Sequence, residues 1–282
     1  MDGIAGAQEL QAKLSDSFFL DDLDLVDRLF PSLTSGVRWG LERTEKALKI
    51  LGDPHRSYRT IHVGGTNGKG SVTSTVAAVL EAAGFRTGCY TSPHLCSFRE
   101  RIRVAGSPLT HDRVVGLAQE LRNVPEICGL SFFELATVLG LYAFECEDVE
   151  VAVIEVGLGG RLDATNVIHP EITAITNVAL DHSDYLGNSL SEIAREKLGI
   201  VKSGVPLITT ESDEDLLEIF REVTRDVGVP CLRANEPEPD RIDVNPDRTR
   251  FTLETSAWAV SYTHLRAHET SLHLVCRLLL EK

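Results

Sequence analysis

The stretch HVGGTNGKGSVTST, residues 62–75, is the strongest local signal for the fold of this chain. It follows a short apolar run, is rich in glycine and contains Lys69, and these are features of a phosphate-binding loop. The commonest pattern for such a loop, G-x-x-x-x-G-K-[ST], would require a glycine at Val63 and a hydroxyl at Gly70. Because the stretch differs from that pattern at both positions, the rest of the chain has to show which kind of loop it is.

Short β-rich runs alternate with helical stretches along the chain. The predicted strands are Thr60–Val63, Thr87–Thr91, Val151–Val156, Ile172–Thr176 and Val205–Thr209. The predicted helices are Lys69–Ala83, Phe132–Glu145, Leu190–Ser203 and Glu214–Val227. Capping boxes and glycine stops mark several helix ends: Ser131 with Glu134, Ser189 with Glu192, Gly84 and Gly204. Near-continuous apolar strands separated by helices predict an α/β fold, in which helices cover both faces of a mostly parallel sheet.

Composition and charge narrow the class of protein. The 282 residues include 28 Lys and Arg against 42 Asp and Glu, a formal net charge of −14. Because a nucleic-acid-binding surface needs a basic face, no nucleic-acid partner is expected. The six cysteines lack C-x-x-C spacing and predict reduced thiols. The sequence shows neither a signal-peptide layout nor a membrane-spanning apolar run, so we expect a soluble, cytoplasmic protein without a membrane partner. A monomer is also expected.

The predicted fold also indicates where a ligand would bind, because ligands of open α/β sheets bind outside the carboxyl ends of the strands. There the strand before the glycine loop and the helix after it would direct backbone N–H groups and a helix N-terminus at a phosphate. Lys69 would reach the terminal phosphates of a nucleotide, and Ser71 can provide the Mg²⁺-binding hydroxyl that Gly70 lacks. A glycine-rich turn without a ligand is the alternative interpretation.

Two other predicted strand ends carry polar side chains. Glu155 interrupts the apolar run of VAVIEVGLGGRLDATN, residues 151–166, where an unpaired carboxylate is costly and Mg²⁺ is a natural partner. A salt bridge between Glu155 and Arg161 is the alternative. Ser92 follows another strand and is held extended by Pro93, so it either faces a ligand or forms a turn or cap.

The segment NVALDHSDYLGNSLSEIAREKLGIVKSG, residues 177–204, contains two more candidate groups. His182 follows a predicted strand end, where a lone histidine is usually structural. Lys197 lies four residues after Ile193, within the apolar stripe of the predicted helix. A lysine in that stripe must extend to solvent, find a partner or lose its charge. Carbamylation by CO₂ would convert it to an anionic metal ligand.

Together these segments resemble the folylpolyglutamate synthase and dihydrofolate synthase family, within the Mur ligase superfamily. The matching segments are GLERTEKAL, IHVGGTNGKGSV, YTSPHL, FRERI, SFFELAT, EVGLGGRLDATN and DHSDYLGNSLSEIAREKLGIVKSG. The resemblance makes G-T-N-G-K-G-S the family's own loop and implies a P-loop, Mur-ligase-type central ATPase domain. The implied reaction is ATP-dependent ligation of L-glutamate to dihydropteroate or folate through an acyl-phosphate intermediate, within folate biosynthesis. ATP, L-glutamate and dihydropteroate or folate are therefore the expected partners.

The resemblance also implies roles for individual residues. The ATP-binding loop would comprise Gly65, Thr66, Asn67, Gly68, Lys69, Gly70 and Ser71, and the catalytic residues would be Lys69, Glu155, His182 and Lys197. Two Mg²⁺ ions are implied, one bound by Ser71, Ser92 and Glu155, the other by Glu155, His182 and carbamylated Lys197. Phe132 and Phe133 would lie beside the pterin, with plain core packing as the alternative. Arg99 and Arg101 are candidates for substrate carboxylates, with surface salt bridges as the alternative.

The end of the chain departs from the family pattern. Residues 1–255 are predicted to form the ATPase domain, incomplete at its C-terminal end, and residues 256–282 a non-native tail. The segment SYTHLRAHETSLHLVCRLLLEK, residues 261–282, resembles translated sequencing-adapter read-through. A histidine metal site is the alternative, but no cluster of Cys or carboxylate residues accompanies the histidines to support it. The family continues with a G-x-H-Q-x-x-N-A segment and a second α/β domain, which we expect to be missing here. Because closure by that domain assembles the site, the chain alone is expected to be nearly inactive.

One sequence departure and two alternative functions accompany the family resemblance. Leu198 stands where the family usually has alanine, beside the key lysine. A different Mur-type ligase, which adds an amino acid to a cell-wall precursor, is a second reading of the motifs. A non-catalytic nucleotide-binding module is a third, and it would have no use for Glu155, His182 or Lys197.

Overall fold

A computed structural model describes residues 39–181, 186–234, 239–245, 248–254 and 259–265 of the chain. The strands are β1 (Arg59–Gly64), β2 (Thr87–Tyr90), β3 (Ile102–Val104), β4 (Ser107–Pro108), β5 (Val151–Glu155), β6 (Ile172–Ile175), β7 (Leu207–Thr209), β8 (Cys231–Arg233), β9 (Pro239–Asn245), β10 (Arg248–Glu254) and β11 (Ala259–Leu265). The α-helices are α1 (Glu42–Ile50), α2 (Lys69–Ala82), α3 (His111–Arg122), α4 (Phe132–Cys146), α5 (Leu190–Leu198) and α6 (Glu214–Val227). Short 3₁₀ helices are formed by Pro54–Arg56, Phe98–Arg101, Pro125–Gly129 and Ala164–Val167.

Eight strands form one sheet, in the order β4-β3-β2-β5-β1-β6-β7-β8. The strands from β2 to β8 in that order run parallel, whereas β3 and β4 add an antiparallel edge. β1 is central, and its register pairs Val63 with Glu155 on one side and Gly64 with Ile175 on the other. The carboxyl ends of β1, β5 and β6 therefore meet at one edge. The prediction of a mostly parallel sheet flanked by helices is confirmed.

Strand β5 has apolar residues on both faces, and helices cover the sheet on both sides. Ala152 and Ile154 pack in a cluster with α1, α3 and α4, whereas Val151 and Val153 pack in a second cluster with α2. Helices α5 and α6 cover the sheet near β7 in a third cluster, which includes Leu207. Successive side chains of a strand point to opposite faces, so a strand that is apolar at every position is buried on both.

Most of the predicted helix signals are confirmed. The capping boxes Ser131–Glu134 and Ser189–Glu192 are both formed, and each serine accepts the backbone N–H of its glutamate. Gly84 follows the last turn of α2 with φ of +94°, the left-handed conformation in which glycine often ends a helix.

Helix α5 differs from the prediction, because it ends at Leu198 rather than at Ser203, and Gly204 does not stop it. Tertiary contacts occupy the end of the helix instead. The Gly199 carbonyl accepts a hydrogen bond from the Asn166 side chain at 3.1 Å. Leu198 itself is buried in the third core cluster.

β9, β10 and β11 form a separate antiparallel sheet, in the order β11-β10-β9. β11 lies within residues 256–282, the predicted tail, and pairs with β10, which precedes residue 255. The domain boundary at residue 255 and the non-native origin of the tail stay predictions. In the described part of the chain, no helix combines the length and apolar character needed to cross a bilayer.

Candidate functional site

The glycine loop connects β1 to α2, and residues after β6 hold it in place. Thr66 donates its backbone N–H to the Asn177 carbonyl at 2.8 Å, and Asn67 donates its own to the Asn177 side-chain oxygen at 3.0 Å. Gly65 has φ of +133° and no room for a side chain, since a Cβ there would overlap Thr176. The loop is therefore shaped by contacts within the chain.

Helix α2 begins at Lys69 without a side-chain cap. Its N-cap residue, Gly68, has no side chain and adopts a left-handed conformation with φ of +79°. Helices α3 to α6 differ, because a Thr, Ser or Asp side chain accepts a hydrogen bond from the first turn of each. Lys69 Nζ donates to the Thr66 carbonyl at 3.0 Å, so its charge lies over the loop. A helix start that lacks a cap and carries a lysine suits a phosphate group.

Glu155 lies at the end of β5, beside the glycine loop. It is 4% exposed, and its Oε2 accepts the backbone N–H of Ser92 at 2.9 Å. A Cβ on Gly70 would lie 3.5 Å from Oε2, so the carboxylate is close to the start of α2. Burial raises the pKa of Glu155, while the Ser92 N–H and the charge of Lys69 oppose that rise. The site thus contains a buried carboxylate whose ionised form needs a positive partner.

The alternative interpretation of Glu155, a salt bridge to Arg161, is wrong. Arg161 pairs with Glu196 instead, and two of its guanidinium nitrogens lie 3.0 and 2.8 Å from Glu196 Oε1. Ser92 is brought to Glu155 as predicted, but through its backbone N–H. A role for the Ser92 hydroxyl stays a prediction.

Lys197 is 3% exposed, and its Nζ donates to the Gly65 carbonyl at 2.9 Å. The pKa of Lys197 is lowered from 10.5 to about 8, mainly by burial and also by the charge of Lys69, while the charge of Asp181 opposes the change. Three outcomes were expected for a lysine in the apolar stripe. Lys197 has a hydrogen-bond partner, the Gly65 carbonyl, and burial also disfavours its charged form. Carbamylation stays a prediction.

The predicted metal ligands are only partly brought together. Ser71 lies in the first turn of α2, next to the glycine that the Glu155 carboxylate approaches, and Lys197 contacts the loop at Gly65. His182 lies outside the described residues. Among the residues that are described, no group of three or more His, Cys, Asp or Glu side chains is placed to hold a metal ion. The two-metal arrangement stays a prediction.

A cluster of aromatic rings and an arginine lies at the start of α4. The Phe132 ring is 6.1 Å from the Phe98 ring, and the Arg101 guanidinium lies 5.3 Å from the Phe132 centroid. Arg101 is 6% exposed and donates its Nε–H to His94 Nδ1 at 2.8 Å. Its Nη1 is buried without a hydrogen-bond partner in the described part of the chain. Because Arg101 is buried, the surface salt bridge considered for it does not apply.

The other two predicted folate-binding residues lie on neighbouring segments. The Phe133 ring packs against Gly157, just after β5, so closely that a Cβ on that glycine would overlap the ring. Arg99 is half-buried and its Nη1 lies 3.4 Å from the Leu109 carbonyl. Phe133 therefore borders the segment that follows Glu155, whereas contact of any of these side chains with a pterin stays a prediction.

A buried polar network that was not predicted from the sequence links β1 to the segment after Glu155. His62 is fully buried in β1, and its Nε2 lies 2.9 Å from the Thr165 hydroxyl oxygen. Burial lowers the pKa of His62 to about 3, so the ring is neutral. Asp163 accepts the backbone N–H groups of Leu158 at 2.8 Å and Thr165 at 2.9 Å, and burial raises its pKa. The only signal for this network was the polar D-x-T-N ending of residues 151–166.

A cleft of about 750 Å³ lies at the opposite edge of the sheet, where β1, β5 and β6 begin. Its lining carries charges of both signs, from Arg56, Arg59, Glu150 and Glu171. Ligands of open α/β sheets bind at the carboxyl ends of the strands, which is the other edge. We therefore place the candidate site at the glycine loop, which lies at the carboxyl ends of the strands, and not at this cleft.

A parallel α/β sheet with a phosphate-binding loop, and a buried carboxylate at the end of the neighbouring strand, defines a class of nucleotide-binding proteins. Residues 63–266 match the Mur ligase middle domain, and the chain belongs to the Mur ligase family.

Individual relatives agree with this assignment. The dihydrofolate synthase/folylpolyglutamate synthase of Bacillus subtilis is 38% identical over 198 residues, which are 67% of this chain and 46% of that protein. The apo form of L. casei FPGS has a TM-score of 0.78 and 34% identity, and the match covers 83% of this chain and 59% of that one. An FPGS–AMPPCP–folate complex matches with the same TM-score, identity and coverage. The family resemblance seen in the motifs is confirmed, and the chain spans about half the length of the curated relatives it matches.

Proposed function

We propose that this chain provides the ATP-binding part of a ligase that joins L-glutamate to dihydropteroate or to a folate. The observation that carries the proposal is the meeting of an uncapped helix start, Lys69 and the buried Glu155 carboxylate at one edge of the sheet. The relatives support the choice of substrates, since they are named dihydrofolate synthase and folylpolyglutamate synthase and one is a complex with AMPPCP and folate.

In the proposed reaction, a carboxylate oxygen of the acceptor attacks the γ-phosphorus of ATP. The bond from that phosphorus to the bridging oxygen breaks, so ADP leaves and an acyl phosphate forms. The glutamate amine then attacks the acyl carbon, inorganic phosphate leaves, and the nitrogen loses a proton as the amide forms. Phosphoryl transfer depends mainly on position and fixed positive charge, which Lys69 and the N–H groups at the start of α2 would supply.

The residues at this edge fit a divalent cation. Glu155 is a buried carboxylate, and a nearby cation would relieve the cost of its charge. One Mg²⁺ would be held by Ser71, Ser92 and Glu155. A second would be held by Glu155, His182 and the carbamylated form of Lys197. Bound Mg²⁺ neutralises charge on phosphate oxygens, and these side chains would fix its position.

The aromatic cluster is the proposed acceptor subsite. Phe132 and Phe133 offer ring faces or edges to a planar heterocycle. Among the described residues, nothing accepts a hydrogen bond from the buried Nη1 of Arg101, and a substrate carboxylate would satisfy it with a charged hydrogen bond. Arg99 is the second candidate for that carboxylate. The monomeric state, the cytoplasmic location and the lack of a nucleic-acid partner stay predictions.

The purified 282-residue chain is expected to bind ATP at least about tenfold more tightly with Mg²⁺ than without it, because Glu155 is costly to ionise alone. Isothermal titration calorimetry with and without EDTA measures this difference. Mass spectrometry of mixtures with glutamate and either dihydropteroate or folate shows whether a glutamyl unit is added, and to which acceptor. For the 282 residues alone we expect little or no product, because the resemblance implies a second domain that closes the site. A chain that binds no nucleotide in Mg²⁺ contradicts the proposed function.

Lys197 is expected to take up CO₂ more readily as the pH rises from about 7 to about 9. Its pKa is lowered to about 8, so the neutral amine that reacts with CO₂ becomes the major form over this range. Carbon-13 NMR in labelled bicarbonate should show one carbamate signal that a Lys197→Arg variant lacks. The exposed Lys46 provides the control, because Lys46→Arg should keep that signal. Identical spectra for wild type and Lys197→Arg at the higher pH would exclude the carbamate.

A further inference from the structure

The end of α5 that carries Lys197 is hydrogen-bonded to the segment that follows Glu155 and packs closely against it. Arg161 donates its backbone N–H to the Glu196 carbonyl at 2.8 Å. A Cβ on Gly160 would lie 2.7 Å from the carbonyl oxygens of both Glu196 and Lys197, so only glycine allows this approach. The helix that carries Lys197 is thus in direct backbone contact with the chain segment that follows Glu155.

One side chain bridges the two elements. Asn166 is 4% exposed, and its Nδ2 donates to the Arg161 carbonyl at 2.9 Å and to the Gly199 carbonyl at 3.1 Å. Arg161 belongs to the segment after β5, whereas Gly199 is the C-cap residue of α5. Both protons of one amide are therefore used to hold the segment and the helix together.

A lysine completes the bridge from the other side. Lys202 is half-buried, and its Nζ donates to the Asn166 backbone carbonyl at 3.0 Å. Because Lys202 follows α5, this bond fixes the chain after the helix to the same asparagine. Asn166 is thereby held through its side chain and through its backbone.

We infer that Asn166, supported by Lys202, is a positioning residue that sets the separation of Lys197 and Glu155 and so the affinity of the site for a divalent cation. The inference rests on the proposed function, because it assumes that the Glu155 and Lys197 side chains take part in binding metal. Neither Asn166 nor Lys202 needs to touch the cation. Groups that orient metal ligands typically change metal affinity by about ten- to a hundredfold when they are removed.

The test measures Mn²⁺ affinity by electron paramagnetic resonance of the free ion, in the presence of AMPPCP and the full 282-residue chain. Asn166→Ala is expected to weaken Mn²⁺ binding by about ten- to a hundredfold, and Lys202→Met by roughly threefold or more. AMPPCP affinity without metal should stay unchanged in both variants, because neither residue belongs to the glycine loop.

Thr224→Ala is the matched control for a general loss of stability. Thr224 is 3% exposed and its hydroxyl donates to the Phe220 carbonyl at 2.8 Å, in a helix that contributes no predicted site residue. It should unfold more easily than wild type, yet bind Mn²⁺ with wild-type affinity. An equal loss of Mn²⁺ affinity in Thr224→Ala and Asn166→Ala would overturn the inference, since the effect would then follow stability alone.

Other outcomes separate the inference from the function on which it rests. Wild-type Mn²⁺ affinity in folded Asn166→Ala overturns the inference and leaves the proposed function standing. If Asn166→Ala does not fold, Lys202→Met decides, because methionine retains the apolar stem of a half-exposed side chain. A wild-type chain that binds AMPPCP but no Mn²⁺ overturns the proposed metal site and the inference together.

Discussion

Replacing Lys69 with methionine is expected to weaken ATP binding roughly 100-fold. The Lys69 ammonium lies over the glycine loop, on the Thr66 carbonyl. In the proposed function it would meet the terminal phosphates as a point charge. Methionine retains most of the apolar stem and removes the charge. Hydrogen bonds to charged groups contribute about 1.5–3 kcal/mol, which is roughly 10- to 150-fold in affinity, and the expected loss lies in the upper part of that range. Calorimetric titration in Mg²⁺ measures the dissociation constant directly.

The specificity of that loss is as informative as its size. Lys69→Met should bind AMP almost as tightly as wild type, because AMP lacks the terminal phosphates. Lys49→Met, on the exposed last turn of α1, is the control and should leave ATP affinity unchanged. Equal losses for ATP and AMP would mean that the substitution disturbs the loop itself rather than a phosphate contact.

Glu155→Gln is expected to separate metal binding from folding. Glutamine keeps an oxygen that can accept the Ser92 N–H, but it carries no charge. Mg²⁺ should therefore bind at least about 100-fold more weakly in the ATP complex, which exceeds the typical loss when only an outer-shell partner is removed. Without metal, the variant should be no less stable than wild type, since burial penalises the wild-type carboxylate. Mn²⁺ titration and urea unfolding provide the two measurements.

The stability difference between Glu155→Gln and wild type should depend on pH in one direction. The pKa of Glu155 in the folded protein lies above its ordinary value of 4.5, so the folded state holds this proton to a higher pH than the unfolded chain does. The stabilising contribution of the protonated side chain is complete below the ordinary value and is lost as the pH rises through the folded-state value. The variant should therefore be the more stable protein at about pH 8 and match wild type at about pH 4. A less stable variant at the higher pH would indicate that the carboxylate is already paired with a cation.

The elements that were predictable from sequence are those with local signals. Capping residues and apolar runs placed α2, α4 and α6 and the central strands to within one or two residues. The short strands β3, β4 and β8 were missed because they have three, two and three residues, too few for an alternating pattern to show. Helices α1 and α3 were missed as well. The end of α5 was wrong because distant residues decide it, and no local pattern records those contacts.

The candidate site follows the same division. The glycine loop, Glu155 and Lys197 were recognisable as polar or flexible residues in apolar surroundings. Their partners were not, since Lys197 and the carbonyl that it contacts are 132 positions apart and Arg161 lies 35 positions from its true partner. Such pairs depend on how strands and helices are arranged in space. Asn166 lies within the D-x-T-N motif, but the motif does not indicate its role. That role depends on the two carbonyls that its side chain contacts, those of Arg161 and Gly199.

The contacts between the glycine loop and Asn177 have a consequence for the thermodynamics of nucleotide binding. Ordering a flexible backbone costs about 1–2 kcal/mol of conformational entropy per residue, and a loop that becomes ordered only around its ligand bears that cost when it binds. Here the amides of Thr66 and Asn67 are already engaged by Asn177, so that cost is met when the protein folds. In the proposed function, Asn177 would thus favour nucleotide binding through the free state of the protein, without any need to touch the nucleotide.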